Sequence, residues 1–114
     1  MINKILSLVF LCAIHLVSAQ DTSTKSYFAQ ANIEVPTEIA LQDLQQELQL
    51  LSTIKMVRVS FIEKRIIVIT NLVDHFTSEN FIELLGEYGL SASCIQIGVW
   101  GEDEVKSYPF QNCN

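Results

Sequence analysis

The side chains in this sequence with the capacity for chemistry are few and scattered: three cysteines (Cys12, Cys94, Cys113), two histidines (His15, His75) and an acidic triplet, Glu102-Asp103-Glu104. A soft-metal site needs thiolates or imidazoles brought together, usually announced by ligands a few residues apart. Beyond the apolar first segment, His75, Cys94 and Cys113 form no such pair. His75, between Asp74 and Glu79, reads as a loop histidine near a helix start, and the triplet as a solvated turn. A calcium loop would space its oxygen ligands and bend at a glycine. Neither a metal site nor a resident cofactor is expected. Phosphate-cradling glycine loops are absent from the sequence, as is a serine or cysteine nucleophile with an identifiable base. Enzymatic activity is therefore not expected.

Charge narrows the partners. The 114 residues carry 7 basic and 13 acidic side chains, a formal net charge of -6. Nucleic acid and anionic lipid are gripped by clustered Lys and Arg, so neither is an expected partner. Residues 1–19 have the layout of a signal peptide: a basic start at Lys4, an apolar run from Ile5 to Val17, then Ser18 and Ala19. Cleavage after Ala19 or Gln20 is expected, leaving a secreted or periplasmic protein with no membrane attachment. A membrane anchor is the rival reading, but the run falls short of the ~20 apolar residues of a span and contains His15. Cys12 leaves with the signal. Cys94 and Cys113 then remain, and in an oxidising compartment two cysteines suggest one disulfide.

The mature chain must build one domain around these residues. Residues 20–26 are polar and read as a flexible leader before a domain over 27–100, with a tail over 101–114. From Tyr27 to Val35 apolar and other residues alternate, the mark of a strand. Pro36 and Thr37 start a helix, with Ala40, Leu41, Leu44, Leu48 and Leu51 on one stripe. Alternation returns over Met56–Phe61, and Glu63-Lys64-Arg65 turns into the β-branched run Ile66–Thr70, making a hairpin. A second helix opens near Thr77 or Ser78, with Phe76 stapled on Phe81, and closes at Tyr88 with Gly89 as its left-handed cap. Ser93–Trp100 is the last strand. This order predicts an α+β, ferredoxin-like βαββαβ sandwich: a four-stranded antiparallel sheet, strands one and three central, both helices on one face.

With that order in place the chain resembles the heavy-metal-associated domain family, the fold of copper chaperones and of the metal-binding modules of P-type metal pumps. The resemblance covers about Ala31 to Ala92. It rests on Leu48, Leu51, Ile54, Val57 and Val59, on Ile66 and Val68, and on Leu85, Tyr88, Gly89 and Leu90. The family holds a soft ion such as Cu(I) between two cysteines, two residues apart, in the loop before the first helix. At those positions this chain has Thr37 and Ala40. A hydroxyl and a methyl cannot replace two thiolates, so the resemblance implies the scaffold without its metal transport.

Function is then sought on the sheet face turned away from the helices. With Ile66 and Val68 inward, Phe28, Ile67, Ile69 and Trp100 point outward as an apolar cluster. Two readings stand open. A Cys94–Cys113 bridge folds Tyr108, Pro109 and Phe110 of the tail across Ile67 and Ile69; or the cluster receives another protein or a second copy of this chain. The functional expectation is an exported, non-catalytic binding or interaction module on a metal-carrier-like scaffold. A metal binder with other ligands and a secreted protease-inhibitor or propeptide-like domain are the alternatives.

Overall fold

The computed structural model describes residues 24–110 and Cys113. The expected signal peptide over 1–19, with Cys12, lies outside the described residues. Seven elements follow one another: β1 (Tyr27–Asn32), α1 (Glu38–Gln49), β2 (Ile54–Ser60), β3 (Arg65–Thr70), α2 (Ser78–Leu84), a 3-10 turn (Gly86–Ser91) and β4 (Ser93–Val99). The sheet runs β2-β3-β1-β4 and every pairing is antiparallel, so β1 and β3 are central. This is the ferredoxin-like α+β arrangement.

Each boundary has a local cause. Thr37 accepts a hydrogen bond from the Ala40 N–H at 3.1 Å and so caps α1. Leu41, Leu44 and Leu48 then fall on one buried stripe. Thr77 and Asn80 form a reciprocal capping box at α2, with the Phe76 and Phe81 rings 6.5 Å apart beside it. The end of α2 differs from the sequence expectation. The residue in the left-handed region is Gly86 (φ +59°), and the helix stops at Leu84. Gly89 serves closeness instead: a Cβ there would lie 2.6 Å from the Ile82 carbonyl oxygen, so only glycine lets the 3-10 turn pack onto α2.

Ala29, Ala31, Ile33, Val57, Ile66 and Val68 from the strands meet Leu41, Leu44, Leu48, Phe81 and Leu85 in one core. Two register shifts adjust this face. One lies between Ile54 and Met56, allowing Ile54 and Val57 both to be buried. The other separates Gln30↔Gln96 from Asn32↔Ser93 and holds Cys94 at φ +55°. At the outer edge of the sheet, the Gln45 amide of α1 donates to the Val57 carbonyl at 3.0 Å. On β1 the pairing begins before the strand itself: Lys25 and Val73 exchange backbone hydrogen bonds, and Ser26 accepts from the Trp100 N–H at 2.9 Å. The end of the polar leader is thus tied to the sheet.

Candidate functional site

The face opposite the helices is organised in rows by the strand register. One row reads Met56, Ile69, Phe28, Gly98; the next reads Arg58, Ile67, Gln30, Gln96. The two rows differ in chemistry. The first is apolar and ends at a glycine because the Phe28 ring needs the space: a Cβ on Gly98 would lie 2.7 Å from that ring. Trp100 meets the same ring edge-on, with centroids 6.4 Å apart. Phe28 is consequently 0% exposed and Ile69 2%, while Trp100 remains 44% exposed. Phe28 belongs to this face but is covered, so the surface that reaches solvent is narrower than the four outward residues implied.

The second row places two glutamines side by side in the middle of the sheet, and the tail is bonded to them. Gln30, 0% exposed, donates through Nε2 to Gln96 Oε1 (2.7 Å) and to the Lys106 carbonyl (2.9 Å). Its Oε1 accepts from Arg65 Nε (3.1 Å) and Nη2 (2.7 Å). Gln96 accepts from the Lys106 N–H at 3.0 Å and donates to the Glu104 carbonyl at 2.8 Å. A disulfide between Cys94 and Cys113, with Cα atoms 5.0 Å apart, anchors the far end of the tail. The turn before it is closed by Asp103, whose carboxylate accepts from the Val99 N–H at 2.7 Å. Buried amides of this kind stabilise only while their partners stay in place. Gln30→Leu is therefore expected to lower stability by about 2 kcal/mol and to release the Lys106 amide to solvent, read by hydrogen exchange. Retained protection there would show that the tail is held by other contacts.

The tail takes a different path from the one expected. Phe110 lies beneath the Arg65 guanidinium, 5.5 Å from carbon to ring centroid, and stacks edge-on with Tyr108 at 6.3 Å. Tyr108 and Pro109 instead line a depression with Gln96, Glu104 and Lys106. The glutamines draw residues 104–106 over β1 and β4, and Ile67 and Ile69 face a groove of about 490 Å³, open rather than enclosed. Met56, Ile67 and Ile69 form its floor, Trp100 and Val105 stand with them, and Arg58, Arg65 and Glu63 give it charge. Polar Gln30 and Gln96 carried no apolar signal, so the tail's true binding strip escaped a search for hydrophobic alternation.

The other chemistry-bearing residues stay apart. Thr37 and Ala40 sit at the start of α1, where the hydroxyl of one caps the backbone of the other. His75 lines a depression with Val73, Phe76 and Asn80. Glu102 pairs with Lys25 at 3.4 Å, and the Glu104 carbonyl is engaged by Gln96. Among the described residues no three His, Cys, Asp or Glu side chains cluster as a metal site would need. The Tyr88 phenol, packed on the helix side, is pushed above its ordinary 10.0 by desolvation and then by Glu87, Asp43 and Glu47. That direction takes it away from neutral pH and from acid–base work. No helix among the described residues is long and apolar enough to cross a membrane. Compared with family models, curated proteins and solved structures, the chain matches none.

Proposed function

We propose that this chain is an exported, non-catalytic binding module, built on a heavy-metal-associated-like scaffold that lacks the paired thiolates, and that it binds a protein partner through the groove on its open sheet face. The observation carrying this reading is that the tail covers the glutamine strip and leaves Met56, Ile67 and Trp100 accessible around one open depression, with the buried Ile69 beneath them. The signal-like first 19 residues and the Cys94–Cys113 bridge both support an oxidising compartment outside the cytoplasm.

Methyl NMR with a panel of short apolar peptides tests the reading. The Met56 and Ile67 methyls are expected to shift on titration while Ile66 and Val68, on the core side, stay still. Ile67→Asn should keep the fold and weaken that binding at least about tenfold, because an amide buried under a ligand without hydrogen-bond partners costs more than about 1.4 kcal/mol. An unresponsive groove at millimolar peptide would overturn the proposal.

A further inference from the structure

The groove's charge is at odds with the molecule around it. The chain carries a formal net charge of -6 and has two arginines, Arg58 and Arg65. Both line this depression. They are not equivalent. Arg65 is committed: two of its nitrogens bond Gln30, its third approaches Glu63 at 3.8 Å, and its face rests on Phe110. Arg58 is exposed and forms no ion pair among the described residues. It stands directly across from Ile67, on the outer strand β2, beside the apolar floor. On an acidic molecule a guanidinium held beside apolar side chains is a local attraction for an acidic partner, and guanidinium is the group that pairs carboxylate with directed hydrogen bonds.

From this we infer that the groove takes an extended peptide segment in which apolar side chains are followed by a carboxylate, the apolar part lying on Met56, Ile67 and Trp100 and the carboxylate on Arg58. The inference rests on the binding-module reading above and gives its ligand class. The openness of the groove favours a peptide over a single alkyl chain with a carboxylate head. A lone chain in an open trough would leave one side wet along its length, whereas an extended peptide sends alternate side chains down and leaves the others to water.

The test uses two acetylated, amidated tetrapeptides, leucine-phenylalanine-leucine-glutamate and its glutamine counterpart, titrated calorimetrically against the mature protein. The glutamate peptide should bind about fivefold more tightly, the upper range for an exposed pair, and the advantage should shrink as salt is raised. Arg58→Gln, at an exposed position, should erase that preference, so that the variant binds the two peptides equally. Equal binding of both peptides to the wild type would overturn the carboxylate assignment while leaving the binding module intact. Binding of neither would overturn both. A concentration-dependent dimer blocked by Ile67→Asn would make a second copy the occupant and overturn the peptide class.

Discussion

Replacing Phe28 by alanine should lower the unfolding free energy by about 3–5 kcal/mol, the cost of emptying a fully packed aromatic site. The ring is 0% exposed, has Gly98 cut away beneath it and carries Trp100 on its edge. Little around it can collapse into the space: the adjacent backbone belongs to β1 and β4, which are fixed by their pairing. A domain of this size has ~5–15 kcal/mol in total, so the alanine variant stands near the limit of folding. Phe28→Leu, a smaller change in volume, is the companion variant, with an expected loss below about 2 kcal/mol. In both, Trp100 fluorescence should shift to the red as water reaches the indole. Chemical denaturation and emission spectra check the two quantities together. A loss under 1 kcal/mol for the alanine variant would mean that this side of the sheet is surface after all.

Cys113→Ser, made together with Cys94→Ser so that no free thiol remains, is the second large effect. The bridge closes a loop across a sequence separation of 19 residues. Loop-closure entropy for that length corresponds to about 3 kcal/mol, acting on the unfolded chain. The folded state should change as well. Without its anchor the tail is held by the Gln30 and Gln96 hydrogen bonds and by the Phe110–Arg65 contact. Each exchanges readily with water once the end is loose. Hydrogen exchange at the Lys106 amide should speed up, and cleavage between Trp100 and Cys113 should accelerate. Unchanged exchange at Lys106 together with unchanged protease resistance would show that the bridge does not hold the tail on the sheet.

The architecture could be read from the sequence where side-chain period and backbone chemistry agreed. Ala29 and Ala31 alternate inward, Leu41, Leu44 and Leu48 recur at helical spacing, and Thr37 and Thr77 cap the helices they precede. The reading failed where two glycines competed for one role. Gly86 looked like the interior of a helix and Gly89 like its end, yet the positive φ belongs to Gly86 and the close approach to Gly89. Along the open face, parity placed Phe28, Ile67, Ile69 and Trp100 on one side correctly, as the register bears out for the strand residues. Parity says nothing of what lies above. Burial of Phe28 depends on Gly98 and Trp100, distant in sequence, and the course of the tail depends on two glutamines whose polarity reads as solvent-facing. The left-handed backbone at Cys94 carried no local signal either, since nothing in a Ser-Cys-Ile run demands it.

The Gln45 amide bonded to the Val57 carbonyl has a consequence for assembly. β2 is an outer strand, and an outer strand with an unbroken row of free backbone groups invites foreign chains to stack on it as further strands, the route to fibrils. Here the row is interrupted at its middle by a helix side chain. Concentrated solutions of the protein can thus stay free of cross-β growth along that edge without shielding the groove beside it.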